Sequence, residues 1–245
     1  ATRLSARVHR IFIATLASTI TTSLAISLIV APSAQATDEL PFDPTLHSID
    51  DSSSIWVVVN KDRRIAPKTY EPEQLKRVNS IRNPYSLKLR QPAAQALAEM
   101  ARTIKAEGGG TLILNSGYRS FSYQKFLYQR MVANVGKTAA EKRVARPGFS
   151  EHQLGLAADV SAVGQGCVIR ACFGSTRAGK WLAKNAHRFG FIVRYQKNQT
   201  EITGYNYEPW HLRFVGVELA TEMNRLEVKT LEQFWQLPAS PTYPK

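Results

Sequence analysis

Two histidines and two carboxylates are the residues of this 245-residue chain that could do chemistry together. His152 and Asp159 lie on either side of a small, apolar Leu-Gly-Leu-Ala-Ala segment, and Glu208 and His211 follow in a Glu-Pro-Trp-His segment. Two histidines and one aspartate can supply three protein ligands to a zinc ion and leave a fourth position for water. The pattern therefore predicts a catalytic zinc site with His152, Asp159 and His211 as ligands.

The three remaining histidines are weaker candidates for metal binding. His9 lies in an N-terminal basic segment, and His47 lies in a segment rich in Asp, Ser and Pro. His187 ends a predicted helix, where a positive charge is favoured by the helix dipole. Asp159, by contrast, stands among apolar residues, where burying an unpaired charge would be costly and a metal ion would be a suitable partner.

Glu208 is the candidate general base. Pro209 biases Glu208 toward an extended or polyproline II conformation, which has about three residues per turn, so Glu208 and His211 could point to the same side. A carboxylate beside a zinc-bound water can take its proton and later pass it to a leaving amine. The alternative is a surface glutamate that precedes a Trp-His pair of the core.

Arg119 is the candidate substrate anchor. It stands in an Asn-Ser-Gly-Tyr-Arg-Ser segment between a predicted strand and a predicted helix. An arginine at such a junction can present two parallel N–H donors to a carboxylate, and the C-terminal carboxylate of a peptide would fit. The alternative is a salt bridge between Arg119 and a neighbouring acid.

The predicted elements do not alternate as regular β-α-β units, which favours an α+β fold with a small, mainly antiparallel sheet flanked by helices. The clearest helix, 92–107, carries one apolar stripe, and the helix over 120–134 has four apolar residues that could pack. The stripe is Leu97, Met100, Ala101 and Ile104, and the four are Phe121, Phe126, Leu127 and Met131. Strands are predicted over 55–59, 111–115, 191–195 and 210–215, and further helices over 175–188, 217–226 and 231–237.

The N-terminus has the pattern of an export signal. Three arginines precede an uncharged apolar run over 11–30, and Ala34-Gln35-Ala36 then gives a small-x-small cleavage site. We expect a signal peptide over 1–36, or an uncleaved membrane anchor, and a protein that works outside the cytoplasm. The remaining chain divides into a linker over 37–54, a catalytic domain over 55–237 and a C-terminal tail over 238–245.

Charge and cysteine content agree with export. The net charge is +13, and the N-terminal segment contributes three arginines and no acids, so about +10 remains beyond it. A basic surface favours an anionic partner, such as a cell-wall polymer or lipid headgroup rather than nucleic acid, although ordinary solvation of lysine and arginine is the alternative. Cys167 and Cys172 are predicted to form a disulfide that closes a short loop.

Three motifs, in order, carry a resemblance to a known family. They are Ser116-Gly117-Tyr118-Arg119-Ser120 with Gln124, then Ser150-x-His152-x-x-Gly155-x-Ala157-x-Asp159, then Glu208-x-Trp210-His211. The chain resembles the VanY-type D-alanyl-D-alanine carboxypeptidases, which belong to zinc peptidases that also include L,D-carboxypeptidases and D-Ala-D-Ala dipeptidases. The similarity extends over about 57–215.

The resemblance implies that the domain over 55–237 is a zinc carboxypeptidase with a Hedgehog/D,D-peptidase-like zinc fold, which acts on peptidoglycan stem peptides as a monomer. It implies one zinc ion bound by the three predicted ligands, with Glu208 as the base. It also implies that Arg119 anchors the substrate carboxylate, and that Ser150 and Gln124 line the substrate site.

Several other functions compete with D-Ala-D-Ala cleavage. An L,D-carboxypeptidase and a peptidoglycan endopeptidase would use the same residues. A non-catalytic cell-wall-binding module that keeps zinc for structure is less favoured, because structural zinc sites usually have four protein ligands. A serine peptidase is disfavoured: Ser122-Tyr123-Gln124-Lys125 matches the Ser-x-x-Lys pattern, but the chain has no Ser-x-Asn motif and no Lys-Thr-Gly motif.

Overall fold

The computed structural model describes residues 42–244. The predicted signal peptide over 1–36 and the first part of the predicted linker lie outside these residues. Within 42–244, no helix is both long enough and apolar enough to cross a membrane.

A four-stranded sheet lies at the centre of the domain, in the order β3-β4-β6-β5, and each neighbouring pair is antiparallel. A separate antiparallel pair, β1 and β2, precedes it in the chain. The predicted α+β class with a small antiparallel sheet is confirmed. The strands are β1 (Leu75–Arg77), β2 (Lys88–Arg90), β3 (Leu112–Ser116), β4 (Ala157–Ala162), β5 (Phe191–Tyr195) and β6 (Glu208–Phe214).

Helices flank this sheet, and most predicted helices begin and end within a few residues of the observed bounds. The predicted helix over 175–188 divides into α4 and a 3₁₀ turn. The α-helices are α1 (Gln91–Ala106), α2 (Phe121–Val135), α3 (Lys137–Ala140), α4 (Arg177–Asn185), α5 (Thr200–Thr203), α6 (Val217–Arg225) and α7 (Leu231–Phe234). The 3₁₀ turns are Glu151–Leu154, Ala171–Ser175 and Ala186–Phe189.

Helix α1 packs on the sheet as its apolar stripe predicts. Pro92 occupies the first turn, where its missing N–H costs no helical hydrogen bond. Leu97, Met100 and Ile104 are fully buried, and they share a core with Leu114 of β3. Residues spaced three and four apart lie on one face of a helix, so one stripe is enough to form this interface.

The predicted packing of α2 is wrong at Phe126, whereas Phe121, Leu127 and Met131 are half-buried. Phe126 is 54% exposed, and the buried residue of this helix is the polar Gln124. The spacing of apolar residues shows that a helix has an apolar side, but it does not show that another element covers that side.

The predicted strand over 55–59 is also wrong, although Trp56, Val57 and Val58 are buried. Two backbone carbonyls of this segment, those of Ile55 and Val57, accept hydrogen bonds from the guanidinium of Arg213 at 3.0 and 2.9 Å. The buried carbonyl groups therefore bind a side chain instead of a neighbouring strand, which satisfies them equally well.

Packed residues extend beyond 55–237 in both directions. Phe42 stacks on Trp56 with ring centroids 5.4 Å apart. Near the other end, Tyr243 is 7% exposed, and its hydroxyl accepts a hydrogen bond from the backbone N–H of Arg146 at 2.8 Å. The Arg146 guanidinium also lies 4.1 Å from the centre of the Tyr243 ring. The segment after Leu237 therefore supports the loop that leads into Ser150.

Replacing Tyr243 by alanine should lower the free energy of unfolding by about 3 kcal/mol, because it removes a buried aromatic side chain and leaves a cavity. Tyr85→Ala is the matched control, since Tyr85 is 74% exposed and a surface change of this kind usually costs less than about 0.5 kcal/mol. Urea denaturation of both variants measures the difference. Equal losses would show that the C-terminal segment does not support the fold.

Candidate metal centre

The sheet places two of the predicted ligands side by side. Asp159 of β4 and His211 of β6 are paired residues of an antiparallel ladder, so their side chains extend from the same face of the sheet. The Oδ1 atom of Asp159 lies 3.0 Å from Nδ1 of His211. Antiparallel pairing thus joins two motifs that are far apart in the chain.

His152 reaches the same point from the 3₁₀ turn Glu151–Leu154. Its Nδ1 donates to the carbonyl oxygen of Gly117 at 2.8 Å, and since a carbonyl can only accept, the proton must lie on Nδ1. Its Nε2 faces Oδ2 of Asp159 at 3.2 Å. The hydrogen bond from Nδ1 to Gly117 orients the ring, and it leaves the lone pair of Nε2 to bind a metal ion.

Two glycines allow these segments to approach closely. A side-chain carbon on Gly117 would lie 2.6 Å from the carbonyl oxygen of Lys88. Gly155 has a φ of +68°, and a side-chain carbon there would lie 3.1 Å from Cγ of Arg90. Glycine is therefore required at Gly117 by close backbone contact and at Gly155 by the left-handed conformation.

The three side chains form a group that could hold one metal ion. One ligand atom from each of His152, Asp159 and His211 lies within 4.8 Å of the others, and all three residues are buried. Two imidazoles and one carboxylate are also the donor types that zinc prefers.

Glu208 lines the same pocket from the irregular end of β6. Tyr195 pairs with Glu208 and Val193 pairs with Leu212, so β6 has extra residues opposite β5. In a regular strand, residues three apart point to opposite faces. The pairing of β5 with β6 is irregular here, and Glu208 and His211 both line the pocket. They share a side as expected, within a strand rather than a polyproline II segment.

The pocket beside the ligand group contains most of the other residues that the sequence indicated. Arg119 and Ser150 line it together with Glu208, whereas Gln124 does not. Besides the ligand group, its further lining residues are Arg143, Val144, Ala145, Glu151, Ile169, Tyr195, Tyr205 and Trp210.

Arg119 contacts a predicted ligand as well as the pocket. Its Nη2 donates to Oδ2 of Asp159 at 2.9 Å, and its Nε donates to Oγ of Ser116 at 2.9 Å. The side chain keeps 17% exposure. Gln124 is fully buried behind it and donates from Nε2 to the carbonyl of Ala145 at 2.8 Å. Gln124 thus supports the pocket wall without forming part of its surface.

The pKa values of His152 and His211 shift in opposite directions. Burial lowers the pKa of His152 to about 4, and the Arg119 guanidinium acts in the same direction. Burial would also lower the pKa of His211, but its hydrogen bonds with Asp159 and Glu151 outweigh this and raise the pKa to about 9. His152 is therefore neutral at pH 7, the state in which imidazole binds a metal ion.

The two carboxylates of the pocket also differ. Burial would raise the pKa of Asp159, but His152 and His211 outweigh it and hold the pKa well below its usual range. Burial raises the pKa of Glu208 to about 8, and no hydrogen bond within residues 42–244 opposes this. Asp159 is a permanent anion suited to bind a cation, whereas Glu208 is a carboxylate that can exchange a proton.

Sequence reasoning missed Glu151 and the buried charges behind it. Glu151 is fully buried and accepts hydrogen bonds from Arg194 and Arg213, both at 2.9 Å. A signal was present, since each arginine interrupts an otherwise apolar strand pattern, and a charge inside a strand requires a partner. The pattern could not identify that partner.

The disulfide between Cys167 and Cys172 is present as predicted. It closes a loop that carries Ile169, which lines the pocket. The cysteine loop therefore forms part of the pocket wall.

A buried group of two imidazoles and one carboxylate, beside a carboxylate that accepts no hydrogen bond within residues 42–244, is the arrangement of a metal-dependent hydrolase. The family model for VanY, described as D-alanyl-D-alanine carboxypeptidase, matches residues 86–217. The chain belongs to the VanY family of D-alanyl-D-alanine carboxypeptidases, as the three motifs predicted.

Relatives and solved structures agree with this family. The putative carboxypeptidase YodJ of Bacillus subtilis is 40% identical over 196 residues, which cover 78% of this chain and 70% of YodJ. The structure of the LdcB LD-carboxypeptidase is 39% identical with a TM-score of 0.70, and covers 76% of this chain and 87% of that chain. A third similar protein is a mutant of the vancomycin resistance D,D-pentapeptidase VanY, from a VanB-type resistance cassette, whose structure is in complex with Zn(II). It is 32% identical with a TM-score of 0.62, and the match covers 76% of this chain and 99% of that chain.

Replacing Cys167 and Cys172 together by serine should raise KM several-fold and leave kcat nearly unchanged, because it loosens the wall that carries Ile169 without touching the ligand group. The free energy of unfolding should fall by about 2 kcal/mol or less, since a short loop gives a small entropic gain. Steady-state kinetics on a peptide substrate and urea denaturation test both effects. An unchanged KM would show that the cysteine loop does not affect substrate binding.

Proposed function

We propose that this protein is a zinc-dependent carboxypeptidase that removes the C-terminal D-alanine from peptidoglycan stem peptides. The convergence of His152, Asp159 and His211 in one pocket with Glu208, which accepts no hydrogen bond from the part of the chain that the structure describes, carries this proposal. Structural zinc sites usually have four protein ligands, whereas three ligands with an open position are typical of catalysis. The similarity to a VanY structure with Zn(II) supports the choice of metal.

The proposed mechanism assigns one role to each group of the pocket. Zinc held by His152, Asp159 and His211 would polarise the scissile carbonyl and would lower the pKa of a water molecule toward about 7. Glu208 takes the proton of the attacking water and returns it to the departing amine. Arg119 binds the terminal carboxylate of the peptide, and Ser150 contacts the substrate from the opposite segment of the wall. Gln124 holds Arg119 in place from behind.

The same pocket could serve L,D-cleavage. The likeness to LdcB, an LD-carboxypeptidase, favours this second function. Incubating the purified protein with pentapeptide and tetrapeptide stems, with mass detection of the lost alanine, separates the two. Loss from the pentapeptide is the result we expect, and loss from the tetrapeptide alone would establish L,D-specificity.

We also propose that the protein acts outside the cytoplasm as a monomer with one zinc ion per chain. The predicted signal over 1–36 supports export, and the disulfide between Cys167 and Cys172 suits an oxidising compartment. The basic net charge would favour contact with anionic wall polymers.

Zinc binding should depend on the three proposed ligands. We expect the wild-type protein to retain one equivalent of zinc after dialysis, and Asp159→Asn to weaken binding by more than about 100-fold. The estimate follows because even residues that only orient a ligand change affinity by about 10–100-fold. Asp62→Asn, at an exposed position, is the control. Equal zinc content in Asp159→Asn and wild type would remove Asp159 from the ligand set.

Replacing Glu208 by glutamine should lower kcat by about 10²–10⁴-fold while zinc remains bound, because the change removes a proton acceptor but keeps the shape of the side chain. Glu201→Gln, at an exposed position, should behave as wild type. Cleavage of the stem peptide by Glu208→Gln at near the wild-type rate would refute the mechanism. Activity that resists a chelator but is abolished by a β-lactam would indicate a serine enzyme instead.

A further inference from the structure

The imidazole of His211 has a buried partner on each nitrogen. Its Nδ1 lies 3.0 Å from Oδ1 of Asp159, on the side of the ligand group. Its Nε2 lies 3.3 Å from Oε2 of Glu151, on the opposite side. A ring with Nδ1 directed at a metal ion carries its proton on Nε2, and a carboxylate is the acceptor that such a proton needs.

Glu151 is held by two buried arginines. Its Oε1 accepts from Nε of Arg194 and from Nη1 of Arg213, both at 2.9 Å. These two hydrogen bonds occupy one carboxylate oxygen and leave the other, Oε2, facing His211. All three side chains involved in this ion pairing have zero exposure, so water does not compete for Oε2.

The two arginines are themselves anchored to distant parts of the chain. Arg194 makes a bidentate pair with Glu232 of α7, at 2.7 and 2.9 Å. Arg213 donates to the carbonyls of Ile55 and Val57. The carboxylate of Glu151 is therefore fixed from two directions, which is how a supporting group gives a ligand a defined orientation.

Stability alone gives a weak reason for this arrangement. Burying an ion pair costs desolvation energy that its attraction often only matches, and well-packed apolar residues frequently serve as well. The charges do balance, since Glu151 and Glu232 face Arg194 and Arg213. An acceptor for the His211 ring, however, can be provided only by a polar group at the place of Glu151.

We propose that Glu151 is a positioning residue that orients His211 so that Nδ1 faces the metal centre. This inference rests on the zinc site of the proposed function. The Glu151 side chain has zero exposure, and it acts through the imidazole. Losing such an acceptor typically weakens metal affinity by about 10–100-fold.

Glu151→Gln and Glu232→Gln form a matched pair of variants. Each removes one negative charge from the same buried cluster and keeps the side-chain size, but only Glu151 contacts His211. We expect both variants to lower the melting temperature. Competition with a chromophoric chelator should show zinc affinity reduced about 10–100-fold in Glu151→Gln and less than about 3-fold in Glu232→Gln. Equal zinc affinities in the two folded variants would overturn the proposal.

A measurement on the unaltered protein covers the case in which either variant fails to fold. Long-range ¹H–¹⁵N spectra of the zinc-loaded wild type should show His211 bound to zinc through Nδ1 and protonated on Nε2. Coordination through Nε2 would contradict the inference and leave the zinc enzyme intact. A wild-type protein that binds no zinc would overturn the proposed function and this inference together.

Discussion

The antiparallel pairing of β4 with β6 is the constraint on which the site depends. It sets Asp159 opposite His211, so β4 and β6 each contribute one predicted ligand to the same pocket. Strand β3 leads to Gly117 and Arg119, which contact His152 and Asp159. A sheet holds such positions more rigidly than loops would, because every strand is bonded to its neighbours. A site that must hold ligand atoms to a fraction of an ångström benefits from that rigidity.

Two carboxylates in one pocket have opposite surroundings, and this difference separates their roles. Asp159 receives Arg119 and lies against both histidines. Glu208 is similarly buried but accepts no hydrogen bond within residues 42–244. The first environment stabilises a fixed negative charge, and the second leaves the affinity for a proton high. Pairs of acids whose environments push their proton affinities apart are a recurring means of dividing ligand and base roles.

Behind the pocket, the buried charges join the site to the ends of the domain. Arg213 contacts the irregular segment over 55–59, and Arg194 contacts Glu232 of α7. Terminal segments are often poorly ordered unless something ties them down. Here Arg194 and Arg213 hold Glu151 beside His211, and they also hold α7 and the segment over 55–59 against the sheet. The packing of these two segments and the geometry of the site therefore depend on one set of contacts.

The sequence by itself determined the elements whose signals are local. The stripe of α1, the antiparallel α+β class and the order of the three motifs could all be read from residue types and spacing. Tertiary structure alone decided the rest. The run over 55–59 is buried without being a strand because its carbonyls bind Arg213. The irregular pairing of β5 with β6 beside Glu208 is also a tertiary feature. Glu151 had no predicted role for the same physical reason: a spacing pattern shows which residues are polar or apolar, whereas a contact depends on what the folded chain brings opposite them.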